Sequence, residues 1–318
     1  MLIFQRVSDN ILTYQQFSNI NLLIEKSQMD EKELLKKIQH IDIFSNRLVN
    51  TIFAGEYESV FKGQGITFDE VREYQPGDEI RWIDWNVTAR MGQTYVKKYV
   101  EERELVMMLL IDLSGSTTFG STTETKAAIS AEIAALLAFS AIKNNDKVGL
   151  ICFTDSVEHY VAPRKGRRHV LRVIRDILCF QPRKTGTDIS EALSFADQVL
   201  KPHSVLFLLS DFMDSDYQKQ LQITSKRHSL IAITLIDRRE SIIPNIGMIE
   251  LEDAETGERV VVDTTSEQAQ QFYQERNRQV AAERQQIFRS SKVDSIEINT
   301  DESYVIELMR FFHKRVKR

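Results

Sequence analysis

Two aspartates follow uninterrupted apolar runs, and acids in this position are suited to holding a cation. Asp112 follows the run at 105–111, and Asp211 follows the run at 205–209. Strands that are covered on both faces have continuous hydrophobic sequences rather than alternating ones. Ligands of open parallel sheets bind beyond the carboxyl ends of the strands, where the connection order reverses. We therefore expect Asp112 and Asp211 to meet at one edge of one sheet.

Three hydroxyl side chains accompany these acids. Ser114 and Ser116 lie two and four residues after Asp112, so an extended loop can point all three side chains to one side. Thr187 lies in a Thr-Gly-Thr turn that precedes another predicted helix. Carboxylates and hydroxyls are hard oxygen ligands, which suit Mg²⁺ or Mn²⁺ better than zinc or copper. Taken singly, each hydroxyl also fits a helix cap, so the metal interpretation depends on the whole set.

Strands and helices alternate from residue 105 onward, which predicts a doubly wound, mostly parallel α/β sheet. The predicted strands are 105–111, 148–153, 157–161, 205–209, 230–236 and 295–298, and the predicted helices are 123–143, 168–178, 214–226, one from Ser266 and one ending at Lys317. We expect the second and third strands to form an antiparallel hairpin at one edge. In the first helix, one apolar stripe should face the sheet, with Lys126 and Glu132 exposed to water.

Local signals mark the starts of two helices and one small hairpin. Asp188, with Glu191 three residues later, indicates a helix start, and Asp214 is interpreted as the cap of its own helix. Short strand patterns at 249–252 and 260–262 flank a turn-like segment and predict a hairpin insertion near 247–263.

Composition limits the classes of partner and the compartment. The chain has 318 residues and a net charge of -5, so we expect one main domain with appendages and no nucleic-acid partner. The basic run at 164–169 is interpreted as a solvated face. The two cysteines suit a reducing compartment. Without a secretion signal or a run of about 20 apolar residues, the sequence predicts a cytoplasmic protein with no membrane span.

The five oxygen-bearing residues Asp112, Ser114, Ser116, Thr187 and Asp211 resemble the metal-ion-dependent adhesion site of von Willebrand factor type A domains. The resemblance implies a Mg²⁺ ion held by the three hydroxyls, with the two acids binding directly or through water. It also implies one open coordination position. Because neutral hydroxyls do not cancel the charge of the ion, the metal can accept a carboxylate from a partner protein.

A second resemblance lies upstream, where residues 63–90 are similar to the signature of the domain of unknown function 58 family. The similarity extends from about Glu31 to the C-terminus and implies a von Willebrand factor type A domain. It also implies a partnership with MoxR-type AAA+ ATPases. Many members carry transmembrane helices before the signature, whereas this chain looks like the short soluble form.

The signature is rich in charged and aromatic residues, which we interpret as structural. Its charged members, Arg72, Asp78, Arg81, Asp84 and Arg90, are predicted to form an ion-pair network rather than a catalytic centre. Its two tryptophans, Trp82 and Trp85, are predicted to pack the segment against the sheet.

The resemblance also suggests how the chain is divided. Residues 29–100 would hold an N-terminal helix and the signature, and residues 101–318 would form the von Willebrand factor A-like domain. Residues 1–28 have no counterpart in the short form. Met29 is therefore one candidate start, and a genuine extension that packs on the body is the other.

We expect a non-enzymatic, magnesium-dependent protein-binding module whose partner is a MoxR-type AAA+ ATPase or the client of that ATPase. The alternative is a magnesium-dependent phosphoryl hydrolase in which Asp112 is the nucleophile or a metal ligand and Asp211 is the second acid. The sequence disfavours this alternative, because it lacks a second acid close behind Asp112 and a recognisable lysine for the phosphate. A third interpretation is an inert scaffold, which Mg²⁺ would not stabilise.

Overall fold

The computed structural model describes residues 2–6, 31–49, 67–100, 105–118, 125–237, 245–253 and 257–316. The strands are β1 (Leu2–Arg6), β2 (Thr67–Glu73), β3 (Tyr95–Val100), β4 (Val106–Asp112), β5 (Lys147–Phe153), β6 (Val157–Arg164), β7 (Val205–Ser210), β8 (Ser229–Ile236), β9 (Met248–Asp253), β10 (Arg259–Asp263) and β11 (Asp294–Asn299). The α-helices are α1 (Glu31–Leu48), α2 (Trp85–Met91), α3 (Lys126–Lys143), α4 (Arg167–Cys179), α5 (Ile189–Val199), α6 (Gln218–Arg227), α7 (Glu267–Ser290) and α8 (Tyr304–Val316). Short 3-10 helices lie at Ile80–Trp82 and Gly115–Thr118.

A six-stranded sheet with the order β11-β8-β7-β4-β5-β6 forms the centre of the fold. All neighbouring strands are parallel except β5 and β6, which form the predicted antiparallel hairpin at the edge. From β4 the chain builds β5 and β6 on one side and then β7, β8 and β11 on the other. The connection order therefore reverses between β4 and β7. The predicted doubly wound, mostly parallel α/β fold is confirmed.

Strand β4 is buried on both faces, which explains its uninterrupted apolar sequence. Met107, Leu109 and Ile111 contribute to a core shared with α1, α3, α4 and α8, whereas Met108 and Leu110 contribute to a core shared with α5, α6 and α7. Burial of each such side chain stabilises the fold by about 1.5–3 kcal/mol relative to exposure. The helices on the two faces therefore fix the strand whose end carries Asp112.

Helix α3 is buried on more faces than the single apolar stripe predicts. It packs against α1 and α4 as well as the sheet, and its alanines and apolar residues are buried on nearly every face. The prediction that Lys126 is exposed to water is wrong, because this side chain is fully buried. Glu132 is half-buried, and its Oε2 accepts a hydrogen bond of 2.9 Å from the Tyr304 hydroxyl.

The predicted hairpin insertion is confirmed as the antiparallel pair β9 and β10. Strand β1 pairs antiparallel with β9, so the first residues of the chain complete a three-stranded sheet. Residues 7–28, which belong to the segment that is either an extension packed on the body or a part that precedes the start at Met29, lie outside the described residues.

Three charged residues of the upstream signature have structural roles. The Arg72 guanidinium donates two hydrogen bonds, of 2.8 and 2.7 Å, to the carboxylate of Asp78. This contact lowers the pKa of Asp78. Asp84 accepts hydrogen bonds from the backbone at the start of α2 and lies 3.6 Å from the Lys97 ammonium. The predicted structural role of Arg72, Asp78 and Asp84 is confirmed.

The prediction for the two tryptophans is wrong for Trp85. This side chain is 66% exposed, because Asp84 caps α2 and makes Trp85 the first residue of a short helix with no buried residues. Trp82 is half-buried, and the Arg81 guanidinium lies over its ring, 5.1 Å from the centroid. Residues 63–66 of the signature lie outside the described residues.

The long helix α7 begins where the sequence predicts, next to Ser266, whose hydroxyl caps the helix by accepting a hydrogen bond from the backbone of Ala269. Its apolar positions are not equally buried. Phe288 is fully buried, whereas Phe272 is 75% exposed. In the part of the chain that the structure describes, no helix combines the length and hydropathy required to cross a bilayer.

Gly149 of β5 leaves no room for a larger side chain beside β4. A Cβ atom at this position would lie 2.7 Å from Met108 Cε and 3.0 Å from Pro163 Cγ. We expect Gly149→Val to lower the free energy of unfolding by about 1–3 kcal/mol, because overpacking forces neighbouring side chains to move. Urea denaturation measures this change. Ala162→Val, on the exposed side of β6, is the control, and a midpoint for Gly149→Val that matches wild type would contradict the packing described.

Candidate functional site

The loop after β4 is folded by its own polar groups. Asp112 is buried, and its Oδ1 accepts a 2.9 Å hydrogen bond from the backbone of Ser114. The Ser114 and Ser116 hydroxyl oxygens lie 3.0 Å apart, and both residues are fully buried. Thr117 donates from its hydroxyl to the Ser114 carbonyl at 2.7 Å. The sequence therefore fixes two serine hydroxyls close to one carboxylate.

The loop after β7 is joined to this first loop by a serine that the sequence analysis did not select. The Ser210 hydroxyl donates a 2.6 Å hydrogen bond to Asp112 Oδ2 and accepts one of 3.0 Å from the backbone of Phe212. Asp211 is buried, and its Oδ1 accepts a hydrogen bond of 3.3 Å from the backbone of Met213. The sequence does contain a signal for Ser210, because this polar residue lies between the apolar run at 205–209 and Asp211.

Phe212 holds an unusual backbone conformation beside the site. Its φ is +58°, a left-handed value that is strained for a bulky residue. The ring is buried and packs edge-on against Phe288 of α7, with the centroids 4.9 Å apart. Packing of this ring therefore fixes the turn that presents Asp211.

The Thr187 loop is attached to the first loop through its backbone. Gly115 donates from its backbone N–H to the Thr185 carbonyl at 2.8 Å, and Asp188 donates to the Thr154 carbonyl at 2.8 Å. Thr187 lies between these two attachment points and is half-buried. The structure thus brings Asp112, Ser114, Ser116 and Asp211 into one cluster and attaches the loop of Thr187 to it.

Asp188 caps α5 as predicted, because its Oδ1 accepts a 2.8 Å hydrogen bond from the backbone of Glu191. The prediction that Asp214 caps its own helix is wrong. That helix begins at Gln218, and Asp214 Oδ2 instead accepts a 2.8 Å hydrogen bond from the backbone of Ile189. A carboxylate at the first turn of α5 is favoured by the helix dipole. Asp214 therefore links the Asp211 loop to the Thr187 loop.

Lys126 is the unexpected member of the cluster. Its Nζ lies 3.2 Å from Asp211 Oδ2, and its side chain is fully buried. A lysine at the first position of a helix is usually exposed, so neither its type nor its spacing predicts this role. The cluster therefore contains two buried carboxylates and one buried ammonium.

Burial and charge repulsion act together on Asp112. The pKa of this carboxyl is raised to about 7, because burial disfavours its charged form and Asp211 lies nearby. The hydrogen bonds from Ser210 and Ser114 oppose this effect by stabilising the carboxylate. A cation at this point would favour the charged form of both acids.

The oxygen atoms of the cluster fit the chemistry of a magnesium ion. The Ser114 and Ser116 hydroxyls form a hydrogen bond of 3.0 Å, and this separation is also compatible with two adjacent ligands at about 2.1 Å and at right angles around Mg²⁺. Among the residues that the structure describes, no group of three or more His, Cys, Asp or Glu side chains could hold a metal. A metal at this cluster would therefore depend on its hydroxyls.

Comparison with known proteins gives relatives along most of the chain. An uncharacterized protein of Mycobacterium tuberculosis (strain H37Rv) is 25% identical over 296 residues, which cover 91% of this chain and 92% of that protein. An uncharacterized protein of Mycobacterium avium is 26% identical over 161 residues, which cover 49% of this chain and 93% of that protein.

Two solved structures match about two thirds of this chain. The conserved hypothetical protein BatB from Bacteroides thetaiotaomicron has a TM-score of 0.47 and 15% identity, with 67% of this chain and 100% of that chain covered. The VWA domain of SpRpn10 has a TM-score of 0.37 and 12% identity, with 67% of this chain and 95% of that chain covered.

The family model described as protein of unknown function DUF58 matches residues 70–283. This match includes most of the upstream signature and all five predicted site residues. Because it spans more than half of the chain, the protein belongs to the DUF58 family.

Proposed function

We propose that this chain is a non-enzymatic protein-interaction module that binds a carboxylate of its partner through a divalent ion. The ion is Mg²⁺, with Mn²⁺ as a chemical substitute, and its ligands are Asp112, Ser114, Ser116, Thr187 and Asp211. The observation that carries the proposal is the pair of buried serine hydroxyls 3.0 Å apart, beside two acids at the edge of the sheet.

The chemistry of these ligands favours binding over bond breaking. Three of the five ligands are neutral hydroxyls, so the ion keeps much of its positive charge. An Asp or Glu side chain from a partner would then complete the octahedral shell that Mg²⁺ requires. This step needs no nucleophile and no general base.

We propose a MoxR-type AAA+ ATPase, or the client protein of such an ATPase, as the partner. The support for this partner is the family resemblance. The site chemistry adds one requirement, which is that the partner presents an accessible Asp or Glu side chain to the carboxyl edge of the sheet.

Replacement of Ser116 by alanine tests the metal site with little change to the protein. We expect Ser116→Ala to weaken magnesium-dependent capture of the partner at least about tenfold, because one direct ligand is lost. The measurement is affinity capture from cell extract with Mg²⁺ or with a chelator, followed by identification of the retained protein. Thermal unfolding with and without Mg²⁺ measures metal binding without reference to any partner.

Asp216→Asn is the matched control, because it removes an exposed carboxylate in the Asp211 loop and asparagine tolerates its left-handed φ of +63°. Asp112→Ala should also abolish capture, but it leaves the buried donors of Ser114 and Ser210 unpaired and should lower stability by about 1–3 kcal/mol. Chelator-insensitive capture by folded Ser116→Ala would refute the proposed site.

The buried ammonium of Lys126 is the one observation that favours the alternative function, a magnesium-dependent phosphoryl hydrolase. Such an enzyme uses a lysine to hold the phosphate, and the sequence alone did not reveal one. The environment of Asp112 opposes this function. Each of its carboxylate oxygens accepts one hydrogen bond and keeps a lone pair that could bind a cation, but the residue is 1% exposed, so a phosphate ester has no approach to either oxygen.

A phosphoester assay separates the two functions. We expect wild-type protein with Mg²⁺ to release no more phosphate from para-nitrophenyl phosphate or acetyl phosphate than Asp112→Asn does, because Asp112 is enclosed by its hydrogen-bond donors. The opposite result would be phosphate release by wild type that is lost in Asp112→Asn and retained in Asp216→Asn. That result would show that the protein is a hydrolase and would contradict the proposed interaction module.

A further inference from the structure

Lys126 places a positive charge beside Asp211, a proposed ligand of the metal ion. It is the first residue of α3, its side chain has 0% exposure, and its Nζ lies 3.2 Å from Asp211 Oδ2. Transfer of an ammonium group from water to the protein interior is costly unless the group is paired. The lysine is therefore held in place by a carboxylate that is also a proposed metal ligand.

We propose that Lys126 is a fixed internal cation of this site, which limits the affinity for the divalent ion and leaves the metal-loaded site with a net positive charge. This inference rests on the proposed metal site and adds a residue that sets its charge. The chemical consequence is selectivity for a monoanionic partner group, such as one carboxylate.

The charges of the cluster support this assignment. With both acids ionised, Asp112, Asp211 and Lys126 together carry one negative charge, and Mg²⁺ changes this to one positive charge. A single partner carboxylate then makes the assembly neutral. If the lysine were neutral, the metal-loaded site would already be neutral, and a partner carboxylate would bury an uncompensated negative charge.

The helix that carries Lys126 keeps the ammonium at the site. The Thr125 hydroxyl caps α3 by accepting a 3.2 Å hydrogen bond from the backbone of Ala128. Beyond this first turn, α3 is packed against the sheet, α1 and α4. An incoming metal ion would therefore meet a cation that the fold holds in position.

Lys126→Met tests the inference, because methionine has a similar length and no charge. We expect it to bind Mn²⁺ at least about tenfold more tightly than wild type, since repulsion between the ammonium and the dication is removed. The free Mn²⁺ signal in electron paramagnetic resonance measures the affinity. Lys219→Met, at an exposed position of α6, is the control and should retain wild-type affinity.

Unfolding in the presence of a chelator tests the ion pair without any metal. We expect Lys126→Met to unfold at a lower temperature than wild type, because Asp112 and Asp211 lose their internal cation. The double variant Lys126→Met and Asp211→Asn should unfold at a higher temperature than Lys126→Met alone, because Asp211→Asn removes one of the two negative charges.

The outcomes separate this inference from the proposed function. Tighter Mn²⁺ binding by Lys126→Met, together with recovery in the double variant, supports the inference. If wild type binds Mn²⁺ and folded Lys126→Met binds it equally or more weakly, the inference alone is overturned. Binding by neither protein overturns the metal site and this inference with it.

Discussion

The candidate site depends on the parallel pairing of β4 with β7 in the middle of the sheet. In this register Ile111 lies opposite Leu209, so Asp112 and Ser210 leave the two strands side by side. The pairing requires strands that are covered by helices on both faces, which their continuous apolar sequences permit. Burial of the strands therefore carries two carboxylates, Asp112 and Asp211, into largely buried positions at the carboxyl ends of β4 and β7.

Two buried acids at neighbouring strand ends need compensation in the folded protein. Asp112 receives hydrogen bonds from the backbone of Ser114 and the hydroxyl of Ser210, and Asp211 receives the ammonium of Lys126. These contacts stabilise the charged forms before any ion is considered. The composition of the site follows from this need, because neutral hydroxyls and the ammonium of Lys126 stabilise two neighbouring acids.

The extent to which the sequence predicts the structure depends on how local each signal is. The apolar runs predict β4 and β7, and the Asp188 cap is visible because its partner lies three residues away. Lys126 and Asp214 were misassigned because their partners lie 85 and 25 residues away, and only the folded sheet brings them together. Their residue types suggest exposure and helix capping, and tertiary packing overrides both. The ligand set itself stays a prediction, since hydroxyls close to acids are also common as caps.

The contacts between the loops indicate that the site is organised by the fold rather than by an ion. Gly115 is hydrogen-bonded to Thr185, and Asp214 binds the first turn of the helix that follows Thr187. Arg284 of α7 donates to the Asp211 carbonyl at 3.5 Å and to Glu297 of β11 at 2.9 Å. A site whose ligands are already held in place loses little conformational entropy when an ion binds, which strengthens binding. The ammonium of Lys126 has the opposite effect, because its charge repels the ion and weakens binding. The balance of these two effects sets the affinity for the ion, so Lys126 and the loop contacts matter as much as the ligands themselves.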